Sequence, residues 1–300
     1  MSQPPAFPSA VCAIVVTYHP DAEFPLRLAA ISRQVAAVVI VDNGSVAELS
    51  MLRGLASDPA VTLLPNRENL GIARALNIGI QYALAHGFRM AVLFDQDSRV
   101  DGDLVETLLA IHDSFPEGRL GLVGSGFRTD AGAAAQSDAD QTAPAPWVDA
   151  EYVITSGSLL PLAAYSAIGP FREEFFIDYV DLDYCKRAVA RGLQVIRSRR
   201  ALMTHAIGAP TQHRWLWMTK STTNHSADRR YYGARNKTVM LREYGDYRRG
   251  GWILKSFLSC LKICKRVLLY EDSKIPKLRA LLSGWWDGVH GRLGPRTYRR

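Results

Sequence analysis

Met90-Ala91-Val92-Leu93-Phe94-Asp95-Gln96-Asp97-Ser98 is the stretch that decides the fold and first indicates a function. Its apolar half predicts a buried β-strand, and two aspartates follow it, two residues apart. Because side chains alternate along an extended chain, both carboxylates point to the same side of the sheet. Hard oxygen ligands of this kind suit Mg²⁺ or Mn²⁺, which in turn suit a diphosphate. Alone, Asp-x-Asp is usually a solvated turn, so the flanking segments decide its meaning.

The segments upstream predict three more buried strands separated by helices. The strands are predicted over 11–17, 37–41 and 61–64, and the helices over 24–34, 47–56 and 71–86. Continuous apolar strands alternating with helices indicate a parallel sheet covered on both faces, with ligands bound beyond the carboxyl ends of the strands. Polar residues follow three of the strands there: Thr17-Tyr18, Asp42-Asn43 and Asp95-Gln96-Asp97. The sequence therefore predicts one nucleotide-type site at this edge.

Several other classes of protein are disfavoured. The first strand is not followed by Gly-x-Gly-x-x-Gly or by a Walker loop, which argues against dinucleotide binding and ATP hydrolysis. The four cysteines lack zinc spacing and are predicted to be reduced structural thiols. No apolar stretch reaches the roughly 18 to 20 residues that cross a bilayer, and the N-terminus lacks the features of a secretory signal. A cytoplasmic protein is expected, with a flexible surface loop over 130–146.

Positive charge is concentrated at the C-terminal end. Residues 229–300 hold 18 Lys and Arg against 5 Asp and Glu, a net charge of +13, whereas the whole chain carries +7. The pattern becomes helical from about Gly233, so we predict a first domain over 1–232 and a basic helical region over 233–300. Such a region would face a membrane or nucleic acid. Nucleic acid is disfavoured because the first 228 residues are acidic and contain no reader motif.

An amphipathic helix is predicted over 252–270. Its apolar residues recur every three or four positions, while Lys255, Lys262 and Arg266 fall on another face. This pattern suits the surface of an anionic membrane. The alternative is an apolar stripe packed against the rest of the protein, with the basic face in solvent.

Four motifs in order resemble glycosyltransferase family 2: Val15-Val16-Thr17-Tyr18, Val41-Asp42-Asn43-Gly44-Ser45, the run from Asn69 to Gly79, and Asp95-Gln96-Asp97. Leu93–Ser98 and Phe176–Asp181 resemble its bacterial rhamnosyltransferase branch. The resemblance covers roughly residues 11–245. It implies an α/β GT-A fold with a mainly parallel central sheet flanked by helices, extended here by C-terminal helices. It also implies a donor half over about 11–100, an acceptor half over about 101–232, a divalent metal and inversion at the anomeric carbon.

The resemblance assigns the donor side residue by residue. Donor-binding residues would be Thr17, Tyr18, Asp42, Asn69, Arg74, Asn77 and Asp95, and the metal ligands Asp97, His205 and Asp95. Three of these have an ordinary structural alternative. Asp42 fits a turn held by an Asx-type hydrogen bond, Arg74 a solvated helix position, and His205 a hydrogen-bonded core or surface residue.

The acceptor side is assigned in the same way. Asp181 would be the catalytic base and Asp183 its support, with Ser156, Gly157, Asp178 and Arg235 binding the acceptor. Val180 stands where the family usually has Glu, which leaves open which carboxylate orients the acceptor. Alternatively, these carboxylates satisfy the dipole of a helix over 182–191, Ser156-Gly157 is a plain turn, and Arg235 lies on a basic helix face. Trp215 and Trp217 would either stack on a sugar or pack.

The resulting expectation is an inverting glycosyltransferase that moves L-rhamnose from dTDP-L-rhamnose to a cell-surface polysaccharide of the O-antigen type. The acceptor would be a saccharide, either free or linked to a lipid diphosphate, and the enzyme would lie peripherally at the inner membrane. One alternative is another dTDP- or UDP-sugar donor. A second is a nucleotide-sugar-binding or nucleotidyl-transfer protein, although the latter usually has a Gly-rich basic loop where this chain has Thr17-Tyr18-His19-Pro20-Asp21.

Overall fold

A computed structural model describes residues 11–116, 118–128, 145–204, 211–215, 218–222, 224–245, 247 and 250–296. The chain divides into two compact units. The first comprises Met1–Phe171 and Tyr184–Ala206, and the second comprises Arg172–Asp183 and Ile207–Arg300. The predicted boundary after residue 232 falls inside a helix of the second unit, Ala227–Tyr244.

The described part of the first unit alternates strands and helices. Its elements are β1 (Val11–Thr17), α1 (Phe24–Ser32), β2 (Ala37–Asp42), α2 (Leu49–Leu55), β3 (Val61–Pro65), α3 (Ile72–Ala85), β4 (Met90–Asp95), β5 (Arg99–Val100), α4 (Leu104–Asp113), β6 (Leu120–Arg128), β7 (Trp147–Asp149), β8 (Ser158–Pro161), α5 (Leu162–Ile168) and β9 (Gln194–Thr204). The predicted strands and helices are all present, with ends shifted by up to two residues. Gly71, at φ 84°, stays outside α3 because that backbone conformation does not continue a right-handed helix.

These strands form one mixed sheet in the order β3-β2-β1-β4-β8-β6-β9-β5, with β7 paired to β9. The four predicted strands are mutually parallel. β8 runs antiparallel to both β4 and β6. The register pairs Thr17 with Asp42 and Val16 with Asp95, so the polar ends of β1, β2 and β4 meet at one edge. The predicted fold class is confirmed; the antiparallel strands were not separately predicted.

Apolar burial explains why these runs form the centre of the sheet. Val11 to Val15 are all fully buried. On one face, α3 lies so close to β1 that a Cβ at Gly79 would come within 2.4 Å of the Ile14 side chain. Glycine at that helical position therefore sets the spacing between helix and sheet.

The described part of the second unit is mainly helical. It contains a short 3₁₀ turn (Glu173–Phe175), the start of α6 (Val180–Ala190), the antiparallel pair β10 (Thr211–Trp215) and β11 (Met218–Thr222), and the helices α7 (Ala227–Tyr244), α8 (Gly251–Tyr270) and α9 (Lys274–Val289). α7 begins six residues before the predicted start at Gly233, because Ser226 caps it by accepting the N–H of Arg229. α9 packs closely on α7: a Cβ at Gly284 would lie 2.3 Å from the Tyr231 carbonyl oxygen.

Two further expectations concern the cysteines, predicted to be reduced structural thiols, and the helices, none of which was predicted to cross a bilayer. Cys12, Cys185, Cys260 and Cys264 are buried free thiols. Within the described residues, no helix is both long enough and apolar enough to span a bilayer.

Candidate active site

The loop after β2 is held by the Asp42 carboxylate, which is 1% exposed. Oδ1 accepts hydrogen bonds from the hydroxyls of Thr17 (2.8 Å) and Ser45 (2.5 Å). Oδ2 accepts the backbone N–H groups of Gly44 (3.1 Å) and Ser45 (2.8 Å). Four donors thus surround the carboxylate, so its place in this structure is the Asx-type turn that the sequence offered as the alternative to a donor contact. Thr17 shares that role, since its side chain is also fully buried.

Gln96 fixes the loop after β1, a role that the sequence did not reveal. Its amide oxygen accepts the N–H of Tyr18 (2.7 Å), and its amide nitrogen donates to the Tyr18 carbonyl (3.1 Å). The Gln96 carbonyl in turn accepts the Arg27 Nε–H (2.8 Å). The Tyr18 ring remains 48% exposed. A two-point backbone clamp therefore presents an exposed aromatic face at the carboxyl edge of the sheet.

Asp95 and Asp97 lie at the same edge and are both partly exposed. Between them and the core, the hydroxyls of Ser98 and Ser156 hydrogen-bond to each other, and Ser156 Oγ also accepts the Asp95 N–H (3.4 Å). Ser156 is 1% exposed, so it anchors the backbone at Asp95 from a buried position. That position differs from the acceptor contact predicted for it.

Gly157, which was predicted beside Ser156 as an acceptor-binding residue, has a packing explanation. Its φ is +71°, and a Cβ there would lie 2.3 Å from the Met203 sulfur. Its N–H donates to the Leu93 carbonyl at 2.8 Å. Glycine is required because the backbone passes close to Met203 in a left-handed conformation.

The residues predicted on and before α3 take three different places. Asn69 accepts the Gly71 N–H at 2.9 Å and shapes the turn that opens the helix. Arg74 is exposed in the first turn, where a helix N-terminus favours anions. Asn77 is buried, and its amide bonds both the N–H and the C=O of Phe171 at 2.9 Å. The contacts of Asn77 in this structure hold the chain at Phe171, and its predicted contact with the donor stays a prediction.

In the second unit, the segment before α6 has an unusual backbone. Phe176, Asp178 and Tyr179 have φ values of 66°, 63° and 66°, which residues other than glycine rarely adopt. Each such residue costs roughly 1–3 kcal/mol and persists only where its surroundings impose it. This strained segment leads directly into α6, which begins with Val180-Asp181.

Arg235 and Asn236, both 0% exposed on α7, impose this conformation. The Asn236 amide nitrogen donates to the carbonyls of Phe175, Ile177 and Asp178, each at 2.9 Å. Arg235 donates to the carbonyls of Glu174 (2.7 Å) and Phe175 (3.1 Å). We call these two residues the carbonyl clamp. Arg235 was predicted to bind the acceptor; in this structure its guanidinium is fully buried against backbone carbonyls, and the acceptor contact stays a prediction. The role of Asn236 was not predicted.

Asp181 is the partly exposed carboxylate that follows the clamped segment, in the first turn of α6. Its Oδ1 accepts the Leu182 N–H at 2.8 Å. Burial raises the pKa of Asp181 to about 6, and the nearby charge of Asp178 adds to the effect. A carboxylate with such a pKa is ionised near neutral pH and accepts a proton more readily than an ordinary aspartate.

The neighbouring carboxylates are paired. Asp183 is fully buried and accepts hydrogen bonds from Arg172 (3.5 Å) and the Tyr244 hydroxyl (3.1 Å), which is consistent with a supporting role. Asp178 accepts the Arg229 Nε–H at 3.2 Å. Burial raises the pKa of Asp178, although the positive charge of Arg229 opposes this.

The chain is similar to known proteins in both sequence and fold. Residues 12–125 match the model of the family described as glycosyl transferase family 2. That range contains the ends of β1, β2 and β4 together with Asp42, Asp95 and Asp97. Over these residues the chain is similar to glycosyltransferase family 2. The chain is also 29% identical, over 97% of its own length and 99% of the relative's, to the dTDP-rhamnosyl transferase RfbF of Shigella flexneri.

A solved structure supports the fold of the enzyme. S. aureus TarS 1-349 superposes with a TM-score of 0.58 at 14% identity, covering 93% of this chain and 80% of that one. At this identity the likeness concerns the fold alone, and it extends over nearly the whole enzyme.

Asp95 and Asp97, two of the three predicted metal ligands, lie within the described residues. Among them, no three His, Cys, Asp or Glu side chains form a cluster that could hold an ion. His205 and Trp217, the side chain of Trp215 and most of the predicted loop 130–146 lie outside the described residues. Mg²⁺, however, is commonly held by one or two carboxylates together with substrate phosphates. Asp95 and Asp97 fit that donor set.

Proposed function

We propose that this enzyme transfers L-rhamnose from dTDP-L-rhamnose to a saccharide of a growing cell-surface polysaccharide of the O-antigen type, with inversion at the anomeric carbon. The observation that carries the donor assignment is the 29% identity to a dTDP-rhamnosyl transferase, which spans 97% of this chain. The nearest alternative is the same chemistry with another dTDP- or UDP-sugar.

The proposed reaction is a direct displacement in which Asp181 acts as the base. The acceptor hydroxyl oxygen forms a bond to the anomeric carbon, the bond from that carbon to the diphosphate breaks, and its electron pair leaves with the nucleoside diphosphate. The hydroxyl proton passes to the Asp181 carboxylate, whose pKa of about 6 suits this task at neutral pH. Asp183 supports this step by anchoring the first turn of α6 to Arg172 and Tyr244.

The donor is proposed to bind at the carboxyl edge of the parallel strands. The exposed ring of Tyr18 suits stacking on the base, and Arg74 at the start of α3 suits the diphosphate oxygens. Asp95 and Asp97 would hold Mg²⁺ or Mn²⁺. When bound, such an ion neutralises the charge that builds on the leaving diphosphate.

The proposed place of action is the cytoplasmic face of the inner membrane, where a lipid-diphosphate-linked acceptor would be presented. The exposed apolar and basic face of α8 supports this placement. The protein would be held there peripherally.

The decisive experiment measures donor hydrolysis and transfer over a panel of dTDP- and UDP-sugars, with and without EDTA. We expect turnover of dTDP-L-rhamnose, its loss in EDTA, and its recovery when Mg²⁺ or Mn²⁺ is added. Asp97→Ala should abolish turnover. Asp113→Ala is a matched control, because the Asp113 side chain is 74% exposed in the same unit.

Three outcomes would overturn separate parts of the proposal. Preference for a UDP-sugar would remove the rhamnosyl assignment and leave the transfer chemistry. Full activity in EDTA and in Asp97→Ala would remove the metal. Donor binding without hydrolysis or transfer, whichever acceptor is supplied, would indicate a nucleotide-sugar-binding protein.

A further inference from the structure

The outward face of α8 carries an apolar stripe that the described residues do not cover. Five leucines lie on it, each between 43% and 62% exposed: Leu254, Leu258, Leu261, Leu268 and Leu269. The opposite face is buried through Cys260, Cys264 and Val267, which pack in a separate small core. The helix is therefore apolar on two sides, one facing the core of its unit and one facing outward. One exposed lysine, Lys265, lies within the stripe, and the five leucines around it form an apolar surface that water solvates poorly.

Charge on α8 has a single sign. Between Gly251 and Tyr270 the charged residues are Lys255, Lys262, Lys265 and Arg266, with no Asp or Glu. All four are exposed. At the end of the helix, the Glu271 carboxylate is buried and forms salt bridges with Arg230 and Lys277, so it adds no exposed negative charge.

Three lysines gather along one side of this stripe. Partial burial lowers the pKa of Lys237 on α7, and the positive charges of Lys262 and Lys255, two turns apart on α8, lower it further. Lys255 also lies over the Tyr247 ring, 5.1 Å from its centroid. Like charges held together in this way are relieved when an anion binds among them.

We propose that the outward face of α8 is a docking surface for an anionic lipid bilayer, with its leucines entering the acyl boundary and Lys237, Lys255 and Lys262 binding lipid phosphates. Apolar residues beside a row of cations are the composition of helices that lie in the membrane interface. The inference deepens the membrane part of the proposed function, but its test requires no transfer activity.

Two other occupants fit the surface less well. A second copy that placed the same face against this one would bring four cations against four, because a two-fold interface is self-complementary. Nucleic acid would satisfy the lysines and would leave five exposed leucines without an apolar partner. A bilayer with anionic head groups accommodates both features.

The test is cosedimentation of the full chain with vesicles of phosphatidylcholine, with and without 30 mole per cent phosphatidylglycerol. We expect binding to the anionic vesicles alone, weakened by 0.5 M salt because surface charges are screened. Lys255→Gln with Lys262→Gln should weaken binding about 10- to 30-fold. Leu254→Ser with Leu258→Ser should weaken it about 10-fold or more.

The matched control is Arg53→Gln with Arg67→Gln, which removes the same charge from exposed positions of the first unit. It should leave vesicle binding nearly unchanged. Equal loss in both double variants would show that net charge, and not this face, attracts the vesicles. The proposal would be overturned by absent or lipid-independent binding, or by a stable dimer in sedimentation velocity that the leucine variant dissociates. Hydrolysis of the donor, measured in parallel, separates any such failure from failure of the proposed transferase activity.

Discussion

Two polar segments, one in each compact unit, are held by buried side chains of opposite hydrogen-bonding character. In the first unit, the Asp42 carboxylate accepts four hydrogen bonds from the loop after β2 and from Thr17. In the second unit, the carbonyl clamp of Arg235 and Asn236 donates five hydrogen bonds to the backbone of residues 174–178. The Asp42 carboxylate thus binds hydrogen-bond donors, whereas the carbonyl clamp binds hydrogen-bond acceptors.

The two segments also differ in strain. The loop after β2 has a glycine, Gly44, at its positive-φ position, where it costs little. The clamped segment has Phe176, Asp178 and Tyr179 at such positions, and its anchors lie about 60 residues away in the sequence. The first loop is thus encoded locally, whereas the second takes its conformation from a distant helix. We infer that strain is tolerated before α6 because it places Asp181.

The largest expected effect is on the rate of transfer and comes from substitution of Asp181. Asp181→Asn should lower the rate of transfer about 10²- to 10⁴-fold, because an amide cannot accept the proton of the acceptor hydroxyl. In the wild type, transfer should rise with pH through about 6 and then level off, as the raised pKa of Asp181 requires. Both are measured as single-turnover rates with saturating donor.

Asp272→Asn is the control for this prediction, since Asp272 is an exposed acid of the same unit. Its transfer rate should match that of the wild type. Acceptor-free hydrolysis and donor affinity should survive in Asp181→Asn. If transfer also survives, another carboxylate is the base, and the strained segment loses the purpose assigned to it here.

Asn236→Ala tests the carbonyl clamp and should have the next largest effect. It removes the amide donor from one buried carbonyl, that of Phe175, and from the partly buried carbonyls of Ile177 and Asp178, so we expect the free energy of unfolding to fall by about 2–4 kcal/mol. The value of kcat should fall about 10- to 100-fold with little change in the KM of the donor, since the donor is proposed to bind in the first unit. Urea unfolding and steady-state kinetics measure the two quantities.

Asn66→Ala is the matched control in the first unit. Asn66 donates a single side-chain hydrogen bond, to Asn43 at 2.9 Å, from a partly exposed position. It should cost about 1 kcal/mol or less and leave kcat unchanged. A purely structural clamp would give a different result for Asn236→Ala: lower stability with normal kcat below the unfolding temperature.

The contrast between the two segments also explains which parts of the fold and of the candidate site could be predicted from the sequence. The four parallel strands and the edge carrying Thr17, Asp42 and Asp95 were predictable, because apolar runs and the polar residues that end them are local signals. The roles of Asn77 and Arg235 were not, because their partners are backbone groups distant in sequence. A buried Arg on a basic helix has the same sequence pattern as an exposed one.

Asp42→Asn tests how Asp42 holds the loop after β2, and it should lower the free energy of unfolding by a moderate amount. The amide replaces one acceptor oxygen, so at least one of the four donors then faces an N–H₂ group. We expect a loss of about 1–3 kcal/mol in the free energy of unfolding, with weaker donor binding as a consequence of the loosened loop. Unchanged stability with weakened donor binding would instead favour a direct contact between Asp42 and the donor.

The smallest expected effect is a gain in the stability of the protein when Asp181, the proposed base, is replaced in Asp181→Asn. In the wild type, the unfolded chain releases the Asp181 proton near the ordinary value of 3.8, whereas the folded chain retains it to about 6. The stabilising contribution of the protonated carboxyl is therefore complete below pH 4 and is lost as the pH rises through 6. The amide of the variant does not ionise and has no such loss, so Asp181→Asn should be more stable than the wild type by about 1–2 kcal/mol at pH 8, after allowance for partial exposure.

Urea unfolding of both proteins between pH 4 and 8 measures this difference, which should grow between pH 4 and 6 and remain constant above. Asp272→Asn again controls for the loss of a charge. A flat difference would mean that Asp181 is not destabilised by ionisation in the folded protein. A rising difference would show that the folded protein disfavours the ionised Asp181 carboxylate, directly after the strained backbone of Phe176, Asp178 and Tyr179.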